Sequence, residues 1–405
     1  MNSAPCPATT AATAAASAGL PWGALLALAV AAFTDVTTDL LPAGLLPQMS
    51  GALHVPQARV GLLISAFAIA SSLTAIPVTA ALRGLPRRPV LTAVLAGFAV
   101  SGAVTAFSPS YPLTFLARLV AGTMGGTLWS MLAGYAARLV PAQRRGRAIA
   151  IVLAGITVAL CLGIPAGTAL AGTAGWRASF ALLAALALLL AAWIRWQVPG
   201  LPGEPAAERA PLRAVASQPG IRAILGVTLL LLTGHQAMYT YIAPFAEHSG
   251  FPRVSVILFA FGAATAGGLW ITGILADRHL RSTLIAALAL TTAAMLTLIL
   301  GARDPAALLT AAILWGAAFG GAPTLLQTAL IDASGPASAD MATSMQTTVY
   351  NAGIAAGSLT GGLVLETTGP GGLPGATSVL ITAALAVVCV ARRRAFPVSR
   401  SHRRS

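Results

Sequence analysis

FTDVTTDLLPAGLLP, Phe33–Pro47, places two carboxylates, Asp35 and Asp39, inside an apolar run that reaches back to Trp22. The run is long enough to cross a bilayer, for which a helix needs roughly 20 mostly apolar residues. A charge within such a segment is costly unless it faces a partner or a water-filled cavity, so both acids are candidates for function. Their spacing of four puts them on one helical face, looking into a common interior. The alternative for Asp35 is a place near the headgroups at the helix entry, with Asp39 the deeper of the two.

The remainder of the chain has the composition this stretch demands. Of 405 residues, 57% are hydrophobic and only 8% are charged, where a soluble protein carries about a quarter charged residues. Mean hydropathy is +0.83. The expected fold class is an all-α polytopic membrane protein. A net charge of +14 could suggest nucleic acid, but the basic residues lie in short segments between apolar runs, where they set orientation in the bilayer. All of them are Arg. Without Lys there is no phosphate-cradling P-loop lysine and no Schiff base. Cys6, Cys161 and Cys389 have spacings that suit neither a disulfide framework nor a zinc site, so no metal and no cofactor is expected. H-E-x-x-H and G-x-S-x-G are both absent and the five histidines are scattered, which argues against an enzyme. Nothing resembles a channel filter repeat or an acidic ring.

About twelve membrane-length segments follow one another, at approximately 22–47, 58–80, 89–107, 112–137, 148–171, 176–196, 222–246, 254–276, 283–301, 305–331, 341–365 and 374–391. Arg83, Arg87 and Arg88 follow the second, Arg138, Arg144, Arg145 and Arg147 the fourth, Arg195, Arg209 and Arg213 the sixth, and Arg278 and Arg281 the eighth. The intervening loops are poor in Arg. By the positive-inside rule both termini lie in the cytoplasm, and a multi-pass protein of the inner (plasma) membrane is expected. The loop with Asp332 and Asp340 and no Arg departs from this pattern. The Pro-rich stretch 197–221 divides the spans six and six, as in transporters built from parallel repeats. The expected organisation is a tail at 1–20, a six-helix bundle at 21–196, a linker at 197–221, a second six-helix bundle at 222–392, and a basic tail at 393–405. The two bundles are expected to be pseudo-symmetric. TAALRGLPRRPVL (79–91) and GILADRHLRSTLI (273–285) fall at equivalent junctions of the two halves.

With these motifs in place the chain resembles the major facilitator superfamily, in its branch of twelve-span drug:proton antiporters and sugar or nucleoside efflux permeases. Gly273-Ile-Leu-Ala-Asp277-Arg278 is similar to that superfamily's G-x-L-a-D-r loop motif. The first-half copy departs from it, with Thr79, Arg83 and Pro86 at the matching places. Leu116-Ala-Arg118-Leu-Val-Ala-Gly122 with Gly125-Gly126 resembles R-x-x-x-G, and Gly155 with Gly163-Ile-Pro165-Ala-Gly167 resembles the antiporter motif of the fifth span. The resemblance implies alternating access around a central cavity. It also implies that Asp277 latches against Arg144, Arg145 and Arg147 at the start of span five in the outward-facing state.

The residues carry readings of their own. Arg118 lies in an otherwise apolar run and must find a carboxylate, a carbonyl or water, or else snorkel to the interface. Asp35 and Asp39 are the only acids in the first six spans and hence its most economical partners. A guanidinium that leaves one of them in one conformation would let that acid take up a proton, which makes Asp39, Asp35 and Arg118 the proton-coupling candidates. Gly163, Pro165 and Gly167, like Gly320, Gly321 and Pro323, are candidate hinges or ordinary small-residue contacts. Polar tips on apolar helices nominate His235, Tyr239, Gln327, Gln346, Tyr350 and Asn351 for substrate binding, with Gln236 and Tyr241 nearby and Trp129 and Trp315 as aromatic walls. The expected function is export of a small organic compound, a drug, sugar or nucleoside, in exchange for protons. A passive facilitator or an uptake permease of the same fold is the alternative. The expected partners are the small-molecule substrate, protons and the lipid bilayer, with no nucleic acid and a monomeric working unit.

Overall fold

A computed structural model describes residues 20–82, 84–202, 220–251, 253–301, 303–334 and 339–391. The expected tails and most of the linker lie outside the described residues, as do the side chains of Asp277, Arg278 and Asp340. All regular structure among the described residues is helical. In chain order the long helices are α1 (Trp22–Leu53), α2 (Gln57–Leu82), α3 (Arg87–Phe107), α4 (Tyr111–Arg138), α5 (Arg145–Ala174) and α6 (Trp176–Gln197). The second set is α7 (Ile221–Thr240), α8 (Val254–Leu275), α9 (His279–Gly301), α10 (Pro305–Ser334), α11 (Ala339–Thr368) and α12 (Leu373–Val390). Ten of these twelve are long and apolar enough to cross a membrane. The other two, α4 and α11, have 28 and 30 residues and owe their lower hydropathy to Arg118 and to the polar stretch around Gln346.

The first helix runs past its expected end at Pro47. Pro42 and Pro47 each cost α1 one backbone donor without ending it, and the helix runs to Leu53, capped by His54 in the left-handed region. In α5 the effect is a change of pitch. Pro165 has no N–H to offer the carbonyl of Cys161, and residues 159–163 form a π turn in which Ile164 donates to Ala159. The chain reverses between α8 and α9 at His279, whose backbone (φ −138°, ψ 34°) leaves the helical region.

The two halves repeat one crossing. In α4, a Cβ added at Gly122 or Gly126 would collide with the backbone carbonyls of Phe67 and Ser71 of α2. In α10, Gly316 and Gly320 stand in the same relation to Phe261 and Thr265 of α8. The four equivalences hold at one constant offset in sequence, so the duplication hinted at by the loops is a duplication of helix packing. Glycine is required at these positions because lipid offers no hydrophobic drive to hold helices together, and close backbone contact supplies it instead.

Arg87, Arg88, Arg138, Arg144, Arg145, Arg147, Arg195, Arg222 and Arg281 cluster at one end of the bundle, the arginine-rich face. Residues 198–202 are pinned beneath it: the Tyr135 hydroxyl donates to Pro199 O (2.7 Å), Arg138 to Pro202 O (2.9 Å) and the Arg87 amide to Leu201 O (2.9 Å). The two halves share one core, with Leu45, Met49, Val60 and Ile64 in one cluster with Leu231, Tyr241, Leu258 and Leu326. Toward the arginine-rich face the first half keeps a separate core, built from Leu25, Leu28, Leu91, Leu95, Leu128 and Leu190.

Closure at the opposite face is specific. The Tyr241 hydroxyl lies between Gly61 of α2 and Gly362 of α11, donates to Ser358 O (2.9 Å) and comes within 3.5 Å of Ala58 O. Ser358 donates to Gly61 O (2.7 Å) and Ser65 to Ala355 O (3.2 Å), which stitches α2 to α11 across the two halves. Any Cβ at Gly61 would collide with Tyr241. Gly61→Leu is therefore expected to hold this face open. Spin labels introduced through Arg59→Cys and Glu366→Cys, both at exposed positions, should report a longer distance in that background than without the substitution.

Candidate functional site

The coupling candidates meet where α1 is interrupted by proline. Pro42 leaves the carbonyl of Thr38 without its helical donor, and the Arg118 guanidinium of α4 occupies that carbonyl with Nη1 (2.5 Å). Nη2 donates to Asp39 O (2.8 Å) and Nε to Leu63 O of α2 (3.2 Å). Phe67 lies against the guanidinium, 4.8 Å from carbon to ring centroid. Arg118 is thus fully buried, 1% exposed, and binds α1 and α2 through backbone carbonyls. It does not snorkel. Its contact with the Asp39 carboxylate is an ion pair at 3.6 Å, too long for a hydrogen bond.

Asp35 sits one turn earlier on α1, 2% exposed. That burial encloses the carboxyl within the helix bundle. An added Cβ at Gly125 would stand 2.7 Å from its Oδ1, so the absent side chain makes room for the carboxyl. The Trp129 indole lies close to Asp35, whereas sequence reasoning cast Trp129 as an aromatic wall. Oδ1 of Asp35 and Oδ1 of Asp39 have no hydrogen-bond donor among the described residues. Asp39 is 13% exposed, the more accessible of the two.

The second half brings its own candidates to this acid. The hydroxyls of Tyr239 in α7 and Tyr350 in α11 both lie within electrostatic reach of Asp39. His235, one turn before Tyr239, is 4% exposed and stacked among aromatic rings. Gln346 is buried, Asn351 is half-buried and donates to Thr347 O one turn back (3.1 Å), and Gln327 is exposed. Gln236 is internally satisfied by Thr240 (3.0 Å). Tyr241 belongs to the closed face and not to this group. Sequence reasoning missed Phe261 and Phe319, which complete the aromatic cluster around His235; on apolar helices they are indistinguishable from lipid-facing phenylalanines.

The α5 motif packs as the small residues require. A Cβ at Gly163 would meet Phe33 and Thr37 of α1, and one at Gly167 would meet Leu41. Gly262 of α8 stands against Leu160 and Cys161, whose thiol donates to Gly262 O (2.8 Å). The π turn is therefore seated between the acid-bearing helix and the second half. Gly163→Leu is expected to reduce transport severely and to destabilise the protein by about 1–3 kcal/mol, the usual cost of overpacking. Transport assays paired with thermal melting will check this, and an unchanged transport rate would remove the hinge assignment. Gly273 has open space where a Cβ would be, so its motif position is not one of close packing. The side chains of its neighbours Asp277 and Arg278 lie outside the described residues, and the expected latch with them.

Comparison with known proteins agrees with this architecture. The Major Facilitator Superfamily profile matches residues 24–358 and, overlapping it, 253–403. The chain is 28% identical over 388 residues to the purine ribonucleoside efflux pump NepI of Salmonella paratyphi B, covering 93% of this chain and 96% of that protein. In fold it is similar to the nucleoside transporter NupG (TM-score 0.75, 15% identity, covering 90% of this chain and 99% of that one). It is also similar to a bacterial homolog of the human lysosomal transporter Spinster in an inward-facing and occupied conformation (TM-score 0.73, 18% identity, 93% and 98% covered). Two equivalent six-helix halves, a buried arginine fastened to a proline-interrupted first helix and a profile match over nearly the whole chain lead to one conclusion: this protein is a transporter belonging to the Major Facilitator Superfamily.

Proposed function

We propose that the protein exports a nucleoside-type compound in exchange for protons, with Asp39 as the principal proton carrier and Asp35 behind it. The observation that carries this reading is how Arg118 distributes its donors. Three go to backbone carbonyls, so the guanidinium holds α1 in place while touching the Asp39 carboxylate only through one 3.6 Å contact. A carboxylate held so loosely can gain or lose a proton without dismantling the network that fixes the helix. Its partial exposure and its neighbours Tyr239 and Tyr350 put it at the seam between the halves, where alternating access places substrate and coupling ion together.

The arginine-rich face is assigned to the cytoplasm by the positive-inside rule. On that assignment the closed Tyr241–Ser358 face is external. Proton entry from outside would follow opening of that face, and release would follow return to the present state. The similarity to a purine ribonucleoside efflux pump supports a nucleoside substrate and outward direction.

The test is substrate-triggered collapse of a pH gradient in inverted membrane vesicles, offered inosine, guanosine, uridine, sugars and antibiotics in turn. Antiport predicts that a transported nucleoside dissipates the gradient and accumulates against its own concentration gradient. Entry without accumulation and without proton movement would instead establish a passive facilitator.

A further inference from the structure

Three features of the cluster around His235 are unfavourable in an empty core and make sense around a bound heteroaromatic ring. The first is the stacking of His235 on Phe319, with ring centroids 3.6 Å apart and planes 7° from parallel. Such a face-to-face sandwich is the arrangement aromatic pairs avoid in favour of offset or edge-on contact. The second is His235 Nδ1, buried without a hydrogen-bond partner among the described residues. The third is Trp315 Nε1, in the same condition on a side chain that is 1% exposed. Buried indole N–H groups are ordinarily paired, and each orphan is destabilising. The Trp315 and His235 ring centroids are 5.1 Å apart, so the two orphans belong to one small volume. Tyr239 and Phe261 close its sides, at 5.4 Å and 5.7 Å from the imidazole.

We propose that this cluster is the nucleobase subsite, and that the His235 imidazole occupies the slot over Phe319 that a purine base takes when bound. The imidazole is a flat, nitrogen-bearing ring and imitates half of a purine. Displaced by the base, it can turn its unpaired Nδ1 toward the base edge, while the Trp315 N–H donates to a ring nitrogen or carbonyl oxygen. Phe319 remains as the stacking platform. Pro323 removes the helical donor that would otherwise bond the Phe319 carbonyl, which gives α10 local freedom at this point. Tyr239, one wall of the subsite, also lies within electrostatic reach of Asp39, so a ribose attached to the base would extend toward the coupling acid. This inference rests on the nucleoside reading above.

Equilibrium binding of tritiated inosine and uridine to the purified protein in detergent tests it. Trp315→Phe keeps an aromatic ring at the position but removes the N–H donor together with the pyrrole half of the indole. It is expected to weaken inosine binding about tenfold, as loss of one hydrogen bond in a buried site does, and to lower the preference for inosine over uridine. Phe319→Leu should weaken inosine binding by tenfold or more through loss of stacking. Thermal melting of both variants verifies that they are folded. Unchanged inosine affinity in both, or equal weakening for inosine and uridine, overturns the subsite while leaving the nucleoside reading intact. A wild-type protein that binds no inosine overturns both together.

Discussion

Asp39→Asn is expected to abolish nucleoside-driven proton movement in inverted vesicles while leaving a folded protein in the membrane. The substitution keeps the shape and polarity of the side chain, and the backbone carbonyl of residue 39 still accepts from Arg118. What disappears is, among the described residues, the one carboxylate that is both partly exposed and paired with a buried cation. Coupled export should fall to background, a loss of at least about a hundredfold if protonation is obligatory in each cycle, since general proton-transfer groups contribute that much or more. Downhill nucleoside exchange should persist. Proton movement equal to wild type would transfer the role to Asp35, the more deeply buried of the two acids.

Arg118→Met is expected to be the most destabilising single change in the first half. The methionine fills much of the volume but strands the carbonyls of Thr38 and Leu63 and leaves the acids without a cation. Removing one partner from a buried charge network costs on the order of 3 kcal/mol or more. A drop in melting temperature and in the yield of monodisperse protein should follow. Arg118→Lys should recover only part of the loss, because an ammonium cannot present the fork that reaches three carbonyls at once. Wild-type melting of Arg118→Met would show that α1 is held by helix packing without the Arg118 contacts.

Much of this molecule was legible before any coordinates. The apolar runs marked the long helices, ten of them long and apolar enough to cross a membrane, because bilayer thickness imposes a length that no soluble fold requires. Arg118 and the two acids were conspicuous because a charge in hydrocarbon has few tolerable explanations. The glycine motifs were recognisable, although their symmetry was not. That Gly122 and Gly126 repeat Gly316 and Gly320 emerges only when each is seen against a carbonyl of the neighbouring helix. Span ends were less legible, since Pro42 and Pro47 look like terminators in a sequence and prove to be internal when a partner from another helix replaces the lost bond.

Sequence by itself thus determined the class and the identity of the buried charges, because the cost of placing polar groups in lipid is a property of residue type and run length. Tertiary structure alone decided how those charges are shared. Whether Arg118 spends its donors on carboxylates or on carbonyls depends on where α1, α2 and α4 cross, and no spacing along one helix encodes that. The same holds for Tyr241, a polar tip by sequence and a bolt between halves in the fold, and for Phe319, anonymous until His235 lies flat on it. Contacts between helices distant in sequence assign these roles, because within a membrane the polar groups must find their partners on one another.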